Sequence, residues 1–221
     1  MLLRKSLFYF FWGFILPLFS QDFFYFEVLV LGIPTGYARY AKAHSENCPN
    51  NKTILCQKHI YQINLNKWRL WKKFQILAHV FLEEGSLLMH LTQIKILLDN
   101  DKKFIEIYYD EEKESVIISW DGNITEIRSH ERNFHTLASI PIYLREKKPE
   151  AGGVVHLLLQ NEVKKVEFEV LREKDITRIR HGSNDYLVFR GDSWVPEYVS
   201  VMPISFFGIF LGEISARKLA H

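Results

Sequence analysis

Hydropathy that alternates with a period of two is the feature that most constrains this chain. In Tyr61–Asn66 the apolar side chains take the odd positions and the polar ones the even, and Val166–Val170 alternates in the opposite phase. A period of two puts successive side chains on opposite faces, so each such run reads as a strand with one covered and one wet face. Noisier runs of the same kind occupy Tyr25–Leu31, Gly36–Ala43, Phe74–Val80, Phe104–Tyr109, Val116–Trp120, Asn123–Arg128, Val154–Gln160, Tyr186–Arg190, Glu197–Val201 and Gly212–Arg217. They recur about every ten residues with turn residues between them, the rhythm of an antiparallel sheet built from hairpins. Asp121-Gly122 is the strongest hairpin signal, because both residues tolerate the positive φ that a two-residue turn requires. Asp99 to Asp101, His181 to Asn184 and Gly191-Asp192 mark further turns.

Two stretches interrupt the pattern. Leu87–Leu98 fits a helical stripe as well as a strand face, and its place between two strand-like runs favours a strand. Asn133 is placed to cap a short helix over Phe134–Ser139, and Pro141 either ends that helix or opens a second turn. A polar link over 145–153 follows. No repeat or Pro-rich linker divides the chain, so the expectation is one mainly β domain over residues 21–221, with one or two short helices.

Residues 1–20 read as an export signal. Arg4 and Lys5 precede an uncharged run from Leu7 to Phe19, and Ser20 offers a small residue for cleavage before Gln21. The run is shorter than the roughly 20 residues a spanning helix needs. An uncleaved N-terminal anchor is the alternative, and either way the folded part lies outside the cytoplasm. Loss of Arg4 and Lys5 from 28 basic residues leaves 26 against 26 acidic ones. A neutral chain lacks the basic surplus that nucleic-acid binding needs.

An even cysteine count in an exported chain favours a disulfide, here Cys48–Cys56, across a stretch rich in Asn and Pro. Two free thiols on adjacent strands are the alternative. Zinc would need two further ligands, and His44 and His59 stand in no suitable spacing. His130, Glu131 and His135 have one residue too many for a zincin helix, where both imidazoles must share a face. No nucleophile elbow or phosphate loop appears, and the carboxylates of Asp110, Glu111, Glu112 and Glu114 read as a solvated turn. No catalytic residue, cofactor or metal ligand is therefore assigned. Arg190-Gly191-Asp192 reads as a turn rather than an adhesion tag. Asn51-Lys52-Thr53 and Asn123-Ile124-Thr125 match glycosylation acceptors.

The order of the pieces carries a resemblance. A strand over Tyr25–Leu31 leads into Gly32-Ile33 and Gly36, then a second strand begins. Phe104–Asp110 is followed by Val116–Ile118, the short segment His135–Ser139, Arg145, a Gly153-led strand, Val166–Val170 and Trp194–Tyr198. This order, over most of residues 25–218, resembles an uncharacterised family of exported bacterial envelope proteins, a domain of unknown function whose fold is similar to the lipoprotein carriers LolA and LolB. The resemblance implies a single curved antiparallel sheet, a half-barrel closed on one side by short helices, with an apolar concave face. The Cys48–Cys56 segment and the run Phe206–Phe210 depart from the family pattern.

Two functions follow as expectations. One is a non-enzymatic protein of the periplasm or cell envelope that binds an apolar ligand, a lipid or a lipoprotein acyl chain, on the concave sheet. The other is a structural or protein-interaction component of the envelope with no small-molecule ligand. Phe206, Phe207 and Phe210 belong to the most apolar window outside the signal. They are expected either as a covered strand or as a lip that meets ligand or membrane peripherally.

Overall fold

A computed structural model of the chain describes residues 23–49, 51–65, 74–159, 161–171, 176–181, 184–190, 198–206 and 209–219. Its strands are β1 (Phe23–Val30), β2 (Ile33–Cys48), β3 (Asn51–Leu65), β4 (Phe74–Glu83), β5 (Met89–Leu98), β6 (Asp101–Asp110), β7 (Ser115–Trp120), β8 (Asn123–Arg128) and β9 (Phe134–His135). The helix α1 (Ile140–Lys147) precedes β10 (Gly153–Leu159), β11 (Glu162–Leu171), β12 (Ile176–His181), β13 (Asn184–Arg190), β14 (Tyr198–Phe206) and β15 (Ile209–Lys218). All fifteen strands join one sheet in the order β8-β7-β6-β5-β4-β3-β2-β1-β15-β14-β13-β12-β11-β10-β9. Every neighbouring pair is antiparallel except β9 beside β10. Pairing of β1 with β15 brings the two ends of the described chain to the middle of the sheet. The two edges, β8 and β9, are consecutive in sequence, so the curved sheet is a half-barrel with one open seam.

The alternation read from the sequence sets the two faces. His59, Tyr61, Ile63 and Leu65 stand across from Val80, Ala78, Ile76 and Phe74. Those in turn face Thr92, Ile94, Ile96 and Leu98. Ile105 and Ile107 continue the row to Trp120 and Ile118. Together with Phe26, Val28, Tyr40, Phe134 and Ile142 these side chains form the main core. The opposite face is polar along His79, Gln93, Glu106 and Ser119, which stand side by side with Gln93 Nε2 donating to Glu106 Oε1 at 2.9 Å, and apolar toward the Cys48–Cys56 end, where Phe81, Leu91 and Tyr108 are aligned. A second cluster packs Ile140 and Leu144 of α1 on Val155, Leu157, Leu159, Val166 and Ile179.

Turn chemistry follows the sequence at Asp121-Gly122, where both residues have positive φ (48° and 86°) and Trp120 pairs with Asn123. The Asp121 carboxylate accepts the Phe104 N–H at 2.7 Å, tying the turn to β6. The β1–β2 turn is tighter than the Gly32–Gly36 segment suggested: Leu31 and Gly32 form it at φ 52° and 75°, and Ile33 already pairs with Val30. Thr35 bulges between the partners of Val28 and Leu29, and its hydroxyl donates to the Val28 carbonyl at 3.2 Å. Gly36 must lack a side chain, since a Cβ there would stand 1.9 Å from the Asn64 carbonyl oxygen.

The strand favoured over Leu87–Leu98 forms as β5 from Met89, after a turn at Leu87. Other expectations change. The capped helix over Phe134–Ser139 does not form: Phe134 and His135 are both buried, and a two-residue strand beside β10 satisfies both where one face of a short helix would not. The helix starts at Ile140 instead, with Pro141 in its first turn, where a missing N–H costs nothing. It ends at Lys147, so the polar link is shorter than 145–153. Strand β12 lies where only a turn at its end was read. The cysteine stretch is a hairpin rather than a loop: Cys48 pairs with Asn51 and Asn47 with Leu55, so Lys52, Thr53 and Ile54 bulge out of the ladder. That bulge slides β3 along β2 and sets Cys56 diagonally beside Cys48, with Cα atoms 4.9 Å apart, in a disulfide. Phe81 and Leu91 pack against the bridge.

Candidate functional site

The helix α1 crosses the concave face and is anchored at its C-terminal end. Glu146 Oε1 lies 3.1 Å from Lys42 Nζ, and the Arg145 guanidinium sits over the rings of Phe24 and Tyr40 at 5.4 and 5.6 Å. Beneath it the Tyr40 hydroxyl and His59 Nδ1 share a hydrogen bond at 2.7 Å, and Tyr61 packs on Tyr40 with ring centroids 5.0 Å apart. Burial, reinforced by the charges of Lys42 and Arg145, lowers the His59 pKa to about 3. Burial pushes Tyr40 up to about 12 and Tyr61 well above the ordinary tyrosine range. His59 is therefore neutral, and its Nε2 is buried without a hydrogen-bond partner.

A second buried histidine lies at the other end of the helix approach. His135 Nδ1 is 3.4 Å from Ser139 Oγ, and its ring lies 4.4 Å from that of Tyr143. Burial lowers its pKa to about 4. Ser139 Oγ also accepts the Thr136 N–H at 2.7 Å, which makes it part of the turn that starts α1. His130 is 92% exposed in its side chain and pairs with Glu114 at 3.2 Å, so the two histidines read against a zincin pattern do not meet. The Cys48, Cys56 and His90 ligand atoms lie within 4.8 Å of one another, but both sulfurs are spent in the disulfide.

Away from the helix the concave face is only partly covered. Ile63, Ile76, Ile94, Leu98, Ile118 and Trp120 keep partial exposure, although they lie on the core side of β3 to β7. They lie toward the end of the sheet that carries the Leu31-Gly32, Asp99-Asn100 and Asp121-Gly122 turns. Among the described residues the three most exposed large apolar side chains, Leu31 (68%), Ile124 (68%) and Ile33 (63%), stand at the same end. The β14–β15 hairpin closes there as well, with Phe206 opposite Ile209 and Phe210 opposite Ser205, beyond the last β1 pair of Val30 with Ile214. Phe207 lies outside the described residues. Asn51 and Asn123 are exposed at strand starts, and Arg190 ends β13, whereas Gly191 and Asp192 lie outside the described residues. Among the described residues no helix is long and apolar enough to cross a membrane.

The sequence reading missed the Tyr40, His59 and Arg145 cluster. Its members are far apart in the chain, and only the β2–β3 register and the helix position bring them together. Comparison with known proteins finds no matching family model, no matching curated protein and no matching solved structure.

Proposed function

We propose that the chain is a non-enzymatic exported protein of the bacterial envelope that holds an apolar ligand, a lipid or a lipoprotein acyl chain, on its concave face. The observation that carries this reading is the set Ile63, Ile76, Ile94, Ile118 and Trp120, apolar side chains that face the core side around buried Ile96 and Ile105 yet remain partly open. A soluble sheet gains by covering such a set, at roughly 25 cal/mol per Å² of apolar surface, and an acyl chain has the length and chemistry to do so. Exposed Leu31 and Ile33 would meet a membrane peripherally during loading, and the apolar sequence window that holds Phe206, Phe207 and Phe210 is proposed as the lip. The Cys48–Cys56 bridge and the signal-like residues 1–20 support the periplasm or envelope as the compartment. No cofactor or nucleic acid enters the proposal.

The test is displacement of a fluorescent fatty acid from the purified chain. Ile76→Glu and Ile118→Glu place a charge in the set and are expected to abolish binding while the chain stays folded by circular dichroism. Undiminished binding in both folded variants would reject the concave face as the site. A second reading, an envelope interaction component without a ligand, is favoured by the free edge of β8.

A further inference from the structure

We infer that the β8 edge is a self-association surface, on which two copies of this chain pair antiparallel about a two-fold axis at Ile127. β8 bonds to β7 on one side only, and its neighbour across the seam, β9, is two residues long and bonds to β10. Five of the six β8 residues are exposed, the strand holds no Pro, and its two charges, Glu126 and Arg128, are of opposite sign, so they admit a self-complementary partner while opposing others. The phase of its free groups follows from the hairpin. In a two-residue hairpin the closing pair, here Trp120 and Asn123, exchanges both backbone bonds, and bonded pairs then alternate along the ladder. Asn123, Thr125 and Ile127 therefore point their N–H and C=O groups at β7. The Ser129 N–H donating to the Glu114 carbonyl at 3.1 Å continues this odd-numbered phase. Ile124, Glu126 and Arg128 present theirs to the open side.

A two-fold axis normal to the sheet keeps faces matched, so residues of equal parity must oppose one another. Four registers overlap at least three strand residues with their copies, and charge separates them: with Ile124 on the axis Glu126 faces Gly122 and gains no opposite charge. With Glu126 on the axis two carboxylates meet, which is repulsive. With Thr125 on the axis Glu126 faces Ile124, and Arg128 gains no opposite charge. With Ile127 on the axis Glu126, whose carboxylate also accepts from Ser115 Oγ at 3.0 Å and lies 3.9 Å from Lys113 Nζ, faces Arg128 twice, and the bonded positions fall on those same even residues. Ile127 then meets its own copy on the concave side in a non-bonded pair, where Cα atoms stand about 4.5 Å apart. Thr125 faces Ser129. The two half-barrels become one continuous sheet, and each covers the other's open seam.

Sedimentation of the mature chain over a concentration series tests the inference. The expected result is a monomer–dimer equilibrium. Glu126→Pro removes an N–H that faces away from β7, so it should leave the fold intact by circular dichroism and abolish the dimer. Arg128→Glu should weaken the dimer about tenfold, since two attractive pairs become repulsive, and adding Glu126→Arg should restore it. Under oxidation Ile127→Cys should cross-link to its own copy, and Thr125→Cys should not. A wild-type chain monomeric at every concentration would overturn the inference. So would a dimer indifferent to Glu126→Pro, or a cross-link at position 125 in place of 127.

Discussion

Acid should unfold this protein at a pH where most of its carboxylates are still ionised, because it buries two neutral histidines. Burial, with Lys42 and Arg145 adding to it, holds His59 at about 3, and burial alone holds His135 at about 4, against an ordinary value near 6.5. Above pH 6.5 both are neutral in the folded and the unfolded chain, and neither contributes a pH dependence. As pH falls through 6.5 the unfolded chain takes up protons that the folded one refuses, so stability falls with pH. Each histidine adds about 1.4 kcal/mol per pH unit until its folded pKa is reached. At pH 4.5 each costs about 3 kcal/mol and the two together about 5, a large share of the 5–15 kcal/mol that holds a typical domain. His79, half-buried and also lowered by burial, adds a smaller share of the same sign. The assay is urea unfolding followed by tryptophan fluorescence at fixed ionic strength, from pH 7.5 to 4.5. Wild type should lose most of its midpoint over that range, and His59→Gln should lose about half as much relative to its own value at pH 7.5. A wild-type midpoint unchanged between pH 7.5 and 4.5 would refute the reasoning. An equal drop in a variant that lacks both His59 and His135 would refute it too.

Other substitutions probe the frame around the site. Gly36→Ala drives a methyl into the Asn64 carbonyl at 1.9 Å, backbone against backbone, so β2 and β3 must part; a loss of about 3 kcal/mol or more is expected by calorimetry. Replacing Cys48 and Cys56 by Ser should cost about 2–3 kcal/mol in the chain-entropy account and leave fatty-acid binding unchanged, because the bridge closes the hairpin at the end of the sheet away from the partly open set. Phe207→Ser with Phe210→Ser should leave melting unchanged and weaken binding to lipid vesicles; a loss of several kcal/mol in stability would show a covered strand instead.

The strands were legible in the sequence because one covered face and one wet face force a period of two, as in Tyr61–Leu65 and Val166–Val170. Where the inner slot is filled by a polar residue the signal fails. In β12 the buried side chains are Thr177 and Ile179, and partly buried Ile176 falls on the other face, so the strand carries no clean alternation. The helix was misplaced because Asn133 is a good cap in isolation, whereas Pro141 marks the true start once Phe134 and His135 are needed in the core. The cluster under α1 was out of reach for a different reason. Register along β2 and β3 shifts at Asn47/Cys48 and again between Lys42 and Ser45, so counting back from the turn misplaces every partner of Tyr40 and His59.

The central claim is that the partly open apolar set on the concave face carries an apolar ligand. Native mass spectrometry of the chain, purified from the exported fraction of a bacterial host under gentle conditions, tests it directly. The account predicts a mass excess that matches a lipid or fatty acyl chain, is removed by organic extraction, regained on adding fatty acid, and absent from the folded Ile76→Glu variant. A chain that carries no excess and takes up no fatty acid would contradict it.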